Sequence, residues 1–550
     1  MNELDKRQGD ENVQEKTGLS RRSFIAAAGF TTMGFMAASL AGCSPKENIQ
    51  DVQAGANDAA AAQEDEHVTY DPAEVVDADV VVVGAGPAGI GAVMEALDRG
   101  AKVVLIEKTA QLGGMAYGTE GVFGYGSKMQ TDAQVELPTV LDVIEEELTY
   151  TNYRVDANLW RDFVSQSGET IDWLMEHGIE FDRVDTYQGA SFFESFHWWP
   201  GGSGSSFAPI VTEYLDGREG LTVFLETTGK DLVVENGEVI GVYAEKDDGT
   251  IVQVNGKGVI VATGGFSQDK ELMTELSGID WSTSGGFVTP ATGDGYRMMK
   301  KAGAATGTVC FINTMCVQTP TGAQDMVPIN IATNYQCLPM INQIGERFMA
   351  EDTFAKYFAM LTLNAMSTQK KTWTLIDQNS IDRLENQGID YGFVKYQKGD
   401  KLEGLLGELE EFAGTDNVKK GETVEDIASE IGVDAVILQA TIDRWNGFCE
   451  TGVDEDFGAG AEILHPIGDG PYYAVHPDRF ISATIGGIKV DRQNRVLDET
   501  GEPISGLFSA GVDSCCLYKE TYNIQLSGGM QAYNFYSGRN SVREILGESK

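Results

Sequence analysis

The sequence predicts an α/β protein built on a Rossmann-like dinucleotide-binding fold, and two observations carry this prediction. Residues 79–83 form a β-branched run of strand length that leads into the glycine motif Gly84-Ala85-Gly86-Pro87-Ala88-Gly89, and residues 90–98 then have helical spacing. A second apolar strand over residues 102–106 ends in Glu107, 18 residues after the last glycine of the motif. This order of strand, glycine turn, helix and acid is typical of dinucleotide binding.

The glycines of this motif have separate physical roles. Gly84 makes the tight turn, Gly86 lets the backbone approach a pyrophosphate, and Gly89 lets the helix pack closely on the strand. The amino terminus of the helix supplies positive potential for the phosphates, and Glu107 is placed to accept hydrogen bonds from ribose hydroxyls.

Two further glycine turns favour FAD over NAD as the dinucleotide. Gly113-Gly114-Met115 follows shortly after the acidic residue, where the backbone has to pass close to a ribityl chain and a flavin ring. The strand over residues 258–261 runs into a second tight turn at Ala262-Thr263-Gly264-Gly265. No second GxGxxG follows a strand, so we expect no NAD(P)H site and a separate redox protein as the electron donor.

Composition limits the classes of function. The 550 residues correspond to about three to four domains, and 42% hydrophobic with 23% charged residues is ordinary for a globular protein. Lys plus Arg number 40 against 84 Asp plus Glu, a net charge of −44, which argues against nucleic-acid binding. The seven cysteines show no haem, zinc or iron–sulfur spacing, so no metal site is expected. Cys515 and Cys516 are either buried thiols or a vicinal disulfide.

The N-terminal segment is interpreted as an export signal. Arg21-Arg22 followed by an uncharged stretch resembles a twin-arginine signal over residues 1–42, and Leu40-Ala41-Gly42-Cys43 resembles a lipobox. Residues 43–76 are polar and acidic, as expected of a flexible linker. The protein is then expected on the outer face of the cytoplasmic membrane, held by a lipid on Cys43 alone. The alternatives are an uncleaved membrane anchor and a fortuitous arginine pair.

Several motifs together resemble a known family. The Ala262–Gly265 turn, Thr292-Gly293-Asp294-Gly295, and the segments 486–491 and 506–511 are similar to the flavoprotein subunits of fumarate reductase and succinate dehydrogenase, a family that includes urocanate reductase and 3-oxosteroid dehydrogenases. The resemblance spans residues 77–546. It implies a non-covalently bound FAD and an FAD domain formed by residues 77–307 and 479–550. It also implies an inserted α+β capping domain at 308–478, with the substrate bound between the two domains.

The pattern and the resemblance together assign a set of residues to FAD. In this family an acid after Ala-Gly contacts the ribityl chain, but here that position is Val512 and the acid, Asp513, is one residue later. The assigned residues are Gly84, Gly86, Pro87, Ala88, Gly89, Glu107, Lys108, Gly113, Gly114, Met115, Ala262, Thr263, Gly264, Asp294, Gly511, Asp513, Ser527 and Gly528.

The catalytic residues of the family are not all present. Its fumarate reductases donate a proton from an arginine eight residues after the Arg of GxRF, and that position here is Ala355. We therefore consider Tyr357 first, then Lys356 and Tyr335, as proton donors, each of which has an alternative role in packing or at the surface. His197 precedes a glycine-rich loop that relatives place near the flavin, and it is a further candidate.

The dicarboxylate-binding residues of the family also differ. A histidine pair is replaced by Ser482-Ala483-Thr484, and an arginine is absent from the segment before Leu526. Recognition of two carboxylates needs arginine, and a net charge of −44 repels a dianion. A neutral or mono-anionic substrate fits better. The aromatic residues at 192–199 and 518–522 then either face an aromatic or steroidal ring or pack in the core.

The resemblance implies a reductase of an activated C=C bond in an enoate, an aromatic acrylate or an enone. Hydride comes from flavin N5, the proton comes from an acid of the capping domain, and the electrons come from a partner such as a membrane or multihaem cytochrome. One alternative is a 3-oxosteroid dehydrogenase-like enzyme. The other is a flavin electron-transfer lipoprotein without a substrate of its own.

Overall fold

The computed structural model describes residues 70–187, 191–317, 327–392, 396–514, 517–519 and 521–547. The predicted export signal, Cys43, most of the acidic linker and the Cys515–Cys516 pair lie outside these residues.

The strands of the described chain are short apart from a few long antiparallel ones. They are β1 (Glu74–Asp77), β2 (Val80–Val83), β3 (Val103–Ile106), β4 (Gly121–Phe123), β5 (Arg183–Asp185), β6 (Phe196–Trp198), β7 (Leu221–Phe224), β8 (Thr227–Glu235), β9 (Glu238–Lys246), β10 (Ile251–Asn255), β11 (Gly258–Val261), β12 (Gly285–Gly286), β13 (Thr306–Cys316), β14 (Met340–Asn342), β15 (Thr372–Asp377), β16 (Val418–Gly421), β17 (Tyr472–Val475), β18 (Asp478–Ile488), β19 (Arg495–Leu497) and β20 (Pro503–Ser509).

The α-helices of the same residues lie between these strands and at the C-terminal end. They are α1 (Pro87–Asp98), α2 (Lys128–Asp132), α3 (Val140–Tyr150), α4 (Ala157–Glu176), α5 (Phe207–Leu215), α6 (Lys270–Ser277), α7 (Asp294–Lys301), α8 (Pro328–Tyr335), α9 (Thr353–Ser367), α10 (Gln378–Asn386), α11 (Leu405–Phe412), α12 (Val424–Ile431), α13 (Ala435–Thr451) and α14 (Gly529–Ile545).

The central sheet has the strand order β19-β20-β11-β2-β3-β7 and is parallel except for its edge strand β19. Its middle strands are apolar throughout because both faces of the sheet are covered. Alternate residues such as Val80 and Val82 pack against α1, α4 and α14. Val81 and Val83 pack against the mixed sheet β1-β10-β9-β8, in which only β1 pairs in parallel with its neighbour. The predicted strands at 79–83 and 102–106 are therefore neighbours, and the α/β fold is confirmed.

A second folded region is inserted between two paired strands. The chain enters it on β13 and returns on β18, which pair antiparallel over most of their length. Between them lies the sheet β14-β15-β17-β16 with helices α8–α13, and this region has buried clusters of its own around Trp373, Trp445 and Leu405. The sequence has helical patterns over residues 424–431 and 436–448, and these segments form α12 and α13. In the part of the chain that the structure describes, no helix has both the length and the apolar surface needed to cross a membrane.

Helices α1 and α14 are joined by a buried ion-pair cluster around Glu95. Its carboxylate, in a residue that is 4% exposed, accepts hydrogen bonds from the Nε atoms of Arg99 and Arg539 at 2.8 Å and of Arg543 at 2.9 Å. Burial alone would raise the pKa of Glu95, but the hydrogen bonds and charges of Arg543 and Arg539 prevail and lower it to about 2. The helix pair therefore depends on an ionised Glu95.

We predict that protonation of Glu95 at acidic pH lowers the stability of the fold. Because the folded pKa of about 2 lies below the ordinary value of 4.5, ionised Glu95 stabilises the fold above pH 4.5, and this stabilisation is lost as the pH falls from 4.5 to 2. The shift corresponds to roughly 3 kcal/mol. Glu95→Gln should destabilise the protein at pH 7 and remove this part of the pH dependence, measured as free energy of unfolding in urea. The exposed Glu145→Gln is the control, and parallel pH curves for wild type and Glu95→Gln would refute the assignment.

Candidate functional site

A cavity of about 660 Å³ lies at the carboxyl ends of the central strands. The glycine motif after β2, the acid after β3, the turn after β11 and the start of α14 all border it. The sequence-predicted residues that line this cavity are Gly84, Gly86, Pro87, Ala88, Glu107, Lys108, Gly114, Met115, Ala262, Thr263, Gly264, Asp294, Ser527 and Gly528. Ligands of open α/β sheets bind at this edge.

The three motif glycines differ in what surrounds them. Gly84 has φ +106°, and a Cβ there would lie 2.2 Å from the carbonyl oxygen of Ala262. A Cβ on Gly89 would lie 1.8 Å from the carbonyl oxygen of Gly84, so this glycine serves the packing of α1 on the turn and does not line the cavity. A Cβ on Gly86 would meet nothing within 4 Å, because this residue faces the cavity. The space beside Gly86 and the uncapped amides at the start of α1 fit a pyrophosphate.

Polar groups are fixed around the rest of this end of the cavity. The Glu107 carboxylate accepts hydrogen bonds from the amides of Ala85 and Thr109, both at 2.8 Å. Lys108 Nζ donates to the Asp294 carboxylate at 2.8 Å and to the Thr292 hydroxyl at 2.7 Å. These contacts bring together three of the sequence motifs, and they hold an acid and an ion pair at the edge where a ribose and its phosphates are expected.

Asp513 does not reach the cavity, which corrects its assignment as a direct cofactor contact. It is buried beneath the turn after β11, where its carboxylate accepts hydrogen bonds from the amides of Thr263, Gly264 (3.2 Å) and Gly265 (2.8 Å) and from the Thr263 hydroxyl (3.0 Å). Burial raises the pKa of Asp513 against the effect of these four donors. Because residues 511–513 form a 3₁₀ turn, the side chain that points into the cavity is that of Val512.

Two other assigned glycines also lie behind the lining. A Cβ on Gly113 would lie 2.7 Å from the Ala208 side chain, and one on Gly511 would lie 2.8 Å from that of Ala88. Both residues have positive φ, at +104° and +70°. They let chain segments pack against each other beside the cavity, and they are not part of its lining.

The remainder of the cavity is aromatic and aliphatic. Its walls include Tyr187, Phe196, Phe287, Tyr522 and Ile524. Ser482 and Ala483 also line it, at the place where the sequence comparison with fumarate reductases expected a histidine pair. Among the described residues that line the cavity, Lys108 is the only cation, and it is paired with Asp294. No described arginine faces the cavity to bind a carboxylate.

Tyr522, in the aromatic wall of the cavity, lies close to the amino terminus of α14. Its hydroxyl is close to the amides of Gly528, Gly529 and Met530 at the start of α14. Burial raises the pKa of Tyr522, and these amides oppose the rise because they stabilise a phenolate. The Tyr150 hydroxyl donates a hydrogen bond to the Tyr522 carbonyl oxygen at 3.1 Å and fixes the backbone there.

The four predicted catalytic residues do not line the cavity. Tyr357, on α9, is 36% exposed, and its ring centre lies 6.2 Å from that of Tyr150. The neighbouring Lys356 is ion-paired with Asp352 at 2.7 Å. Tyr335 is buried on α8 and contributes to the raised pKa of Tyr187, which lines the cavity.

His197 lies on the opposite face of its strand from the cavity. Side chains alternate along β6, so Phe196 faces the cavity while His197 is buried with Nε2 2.7 Å from the Ser127 hydroxyl. Burial lowers the pKa of His197 to about 4, although the hydrogen bonds from its Nδ1 to the carbonyl oxygens of Val122 and Ser195 oppose the fall, and the ring is neutral near pH 7.

The sequence had pointed to the 518–522 segment only as a group of aromatic residues, and it did not assign Tyr522 a role. A signal was present: Tyr522 lies shortly before the Gly528-Gly529 turn that opens the C-terminal helix. A hydroxyl at that point meets the positive end of the helix.

A parallel sheet with a glycine turn, a helix amino terminus and an ordered acid at one cavity defines a dinucleotide-binding protein. Residues 79–527 match the model of the family described as FAD binding domain, and the chain belongs to that family. It is an FAD-dependent oxidoreductase, and the resemblance found in its motifs is confirmed.

Several known proteins are similar to this chain. A vinyl phenol reductase of Lactiplantibacillus plantarum is 31% identical over 84% of this chain and 95% of its own length. A urocanate reductase of Eggerthella lenta is 28% identical over 79% of this chain and 69% of its own length. A solved flavocytochrome c3 fumarate reductase in an open conformation has a TM-score of 0.62 at 23% identity, covering 92% of this chain and 82% of that one. A 3-ketosteroid-Δ4-(5α)-dehydrogenase of Rhodococcus jostii RHA1 has a TM-score of 0.65 at 21% identity, covering 86% of this chain and 97% of that one. The two structures show the shared fold.

We predict that two motif glycines will respond differently to the same substitution. Gly86→Val places its side chain in open space, so the FAD-free protein should keep its thermal stability but lose the cofactor. Gly84→Val requires an unfavourable φ of +106°, and its side chain overlaps the Ala262 carbonyl. This variant should therefore lose both thermal stability and bound FAD. The ratio of flavin to protein absorbance and thermal unfolding of the FAD-free proteins measure these effects. Full flavin content in Gly86→Val would show that the pyrophosphate lies elsewhere.

Proposed function

We propose that this protein reduces an activated C=C bond in a neutral or mono-anionic substrate that carries an aromatic or similarly flat ring. The proposal rests on the lining of the cavity. Its walls beyond the cofactor end are aromatic, and Lys108, which is paired with Asp294, is the only cation among the described lining residues. A dicarboxylate would need bidentate arginine partners to offset its desolvation. An apolar ring instead gains from burial against Phe196, Phe287 and Tyr187.

The relatives support this class of reaction. Vinyl phenol reductase and urocanate reductase are both named for substrates that contain a ring, and the first aligns over almost its whole length. Fumarate reductases also appear among the relatives at lower identity. The departures at Ser482, Ala483 and Ala355 argue against fumarate as the substrate here.

FAD, when bound, supplies the hydride chemistry, and the residues of this chain position the substrate and supply the proton. The aromatic walls orient a flat ring and exclude water. Tyr522 is the proton donor we assign, because this residue lines the cavity and the amides of α14 that its hydroxyl approaches stabilise the phenolate formed on proton transfer. This assignment replaces Tyr357, which lies outside the lining.

The electron donor and the location of the protein are part of the same proposal. No second GxGxxG motif follows a strand in the sequence, which supports electron supply by a separate redox protein such as a cytochrome. Arg21-Arg22 and the lipobox ending in Cys43 support export in the folded state and anchoring by lipid at the outer face of the cytoplasmic membrane.

We predict that Cys43→Ala moves the protein from the membrane fraction to the soluble exported fraction, because one thiol carries the anchor. Cell fractionation and immunoblotting measure the shift. Arg21→Lys with Arg22→Lys should instead retain the protein inside the cell. An unchanged membrane fraction in Cys43→Ala would rule out the lipid anchor.

An anaerobic assay with a reduced viologen tests the reaction. We expect turnover with one or more of a vinylphenol, an aromatic acrylate and an aryl enone, and none with fumarate. Tyr522→Phe should lower kcat by about 10²- to 10⁴-fold while the flavin stays bound, because it removes the transferable proton and keeps the ring.

The matched control is Tyr357→Phe, which removes a hydroxyl outside the cavity and should leave kcat unchanged. A protein that reduces fumarate and none of the ring substrates would contradict the proposal. A protein that reduces none of the tested compounds would favour the alternative of a flavin electron-transfer lipoprotein. Desaturation of a 3-oxosteroid with an artificial acceptor would favour the dehydrogenase. Full activity in Tyr522→Phe would show that another group donates the proton.

A further inference from the structure

The lining of the cavity contains an acid that the cofactor end does not use. Three of the described lining residues are acidic, namely Glu107, Glu120 and Asp294. Glu107 accepts hydrogen bonds from backbone amides and Asp294 is paired with Lys108, both at the edge where a ribose and its phosphates are expected. The half-buried Glu120 has no such role. Acids are rarely placed in an aromatic cavity, so this one calls for an explanation.

Glu120 lies next to the ring of Phe196. It immediately precedes Gly121, the first residue of β4, which is paired with Trp198 on β6. The Trp199 amide donates a hydrogen bond to the Glu120 carbonyl oxygen at 2.9 Å. A Cβ on Gly121 would lie 2.6 Å from Cε1 of Phe196, so the backbone at this point passes along the ring. Because Phe196 is one of the aromatic walls, Glu120 borders the part of the cavity assigned to the substrate.

The backbone that carries Glu120 is held in place by its neighbours. The Gly204 amide donates to the Thr119 carbonyl oxygen at 2.8 Å, and Nε1 of Trp199 donates to the Thr119 hydroxyl at 3.0 Å. That hydroxyl donates in turn to the Ala116 carbonyl oxygen at 2.7 Å. Together with the bond from the Trp199 amide, these contacts fix the backbone from which the Glu120 side chain extends. A preorganised acceptor costs less to use in binding than one on a flexible loop.

The Phe196 ring also adjoins the segment that holds the assigned proton donor. A Cβ on Gly528 would lie 2.9 Å from Cε2 of this ring, whereas the Gly121 contact is at Cε1. The Tyr522 hydroxyl is close to the Gly528 amide. The backbone beside Glu120 and the start of α14 beside Tyr522 therefore approach one aromatic wall at different ring atoms.

Tyr187 continues this wall and is coupled to Glu120. The rings of Tyr187 and Phe196 are edge-on with centres 5.1 Å apart, and Tyr187 stacks on Trp198 with centres 5.7 Å apart. Burial raises the pKa of Tyr187 well above its ordinary value, and the charge of Glu120 adds to the rise. This coupling agrees with the position of Glu120 beside the aromatic wall.

An acid at this place discriminates between substrates by charge and by hydrogen bonding. Lys108, the only cation among the described lining residues, is paired with Asp294, so a substrate carboxylate beside Glu120 would meet a like charge. A carboxylate accepts hydrogen bonds, and its two oxygens have room for a ligand donor in addition to donors of the protein. A ring hydroxyl supplies such a donor, whereas a ring without one would cover the charge and offer nothing in return.

We propose that Glu120 is a specificity-determining residue that accepts a hydrogen bond from a ring hydroxyl of a phenol-type substrate and disfavours a carboxylate in the place of that hydroxyl. The inference rests on the proposed function and narrows its ring substrate to a hydroxylated one. The substrate ring lies along Phe196, with its hydroxyl directed to Glu120 and its alkene to Tyr522. Glu120 takes no part in the transfer of the hydride or the proton.

Ligand titration of the oxidised holoenzyme tests this recognition without turnover. The probes are 4-ethylphenol, its methyl ether 4-ethylanisole, and 4-ethylbenzoate, and binding is followed by the change in flavin absorbance. Their ethyl groups offer no C=C bond to reduce. Wild type should bind 4-ethylphenol about 10- to 100-fold more tightly than either of the other two probes. The ether lacks the donor, and the benzoate brings a like charge to the same ring position.

Glu120→Gln separates the effect of the charge from that of the cavity shape. The variant should keep its FAD, because Glu120 faces the substrate part of the cavity. Its preference for the phenol over the ether should shrink, and it should bind 4-ethylbenzoate more tightly than wild type does. Glu194→Gln is the matched control, since it removes an exposed acid from the segment before β6 that is not part of the lining. It should keep the wild-type affinities.

Equal affinities of wild type for the three probes, or an unchanged preference in a folded Glu120→Gln, would overturn the inference. If Glu120→Gln does not fold, the wild-type affinities decide, because a phenol bound no better than its ether or than the benzoate is incompatible with an acceptor at this place. Failure of the proposed function is distinguishable from these results. In that case wild type reduces no alkene of the assay panel, while the titration still shows which ring substituent is preferred.

Discussion

The geometry of the cofactor end of the cavity depends on the carboxylate of Asp513. By accepting hydrogen bonds from the amides of Thr263, Gly264 and Gly265, it fixes the turn that ends β11. That turn carries the Ala262 carbonyl, which leaves room only for a glycine at position 84. The start of α1, where phosphate is expected to bind, is thus positioned by a side chain from the C-terminal part of the chain. The two oxygens of a carboxyl group can accept hydrogen bonds from several donors at once, which suits this side chain to the task.

Features that depend on local pattern could be predicted from the sequence. The strand at β2, the turn at Gly84 and the helix α1 follow from a β-branched run, a glycine motif and helical spacing within about 20 residues. The same holds for α12 and α13 in the inserted region, whose helical patterns are self-contained. For FAD, most of the assigned residues line the cavity for this reason, since glycine turns at the ends of parallel strands meet at one edge.

Features that depend on the direction of one side chain could not be predicted. On β6 the choice between Phe196 and His197 for the cavity is set by pairing with β4 and β5, which lie far apart in the chain. In the 3₁₀ turn at residues 511–513, Val512 lines the cavity, whereas the sequence had assigned the cofactor contact to Asp513. For the proton donor, the family pattern pointed to the start of α9, where Ala355, Lys356 and Tyr357 replace the expected arginine. Tyr522 reaches the cavity from another segment, and only the packing of α14 shows this.

Two buried glutamates of this fold show how the neighbouring groups set the charge of a buried acid. Glu95 is surrounded by three arginines, and its pKa falls to about 2, so its charge stabilises the contact between α1 and α14. Glu147 has no cation among the groups that act on it, and its pKa rises to about 8. Keeping Glu147 protonated at pH 7, while the unfolded chain ionises there, costs roughly 3 kcal/mol of stability.

An apolar side chain of similar size at position 147 would avoid that cost and fill the same space. The stability of the fold therefore gives no reason for an acid at this position.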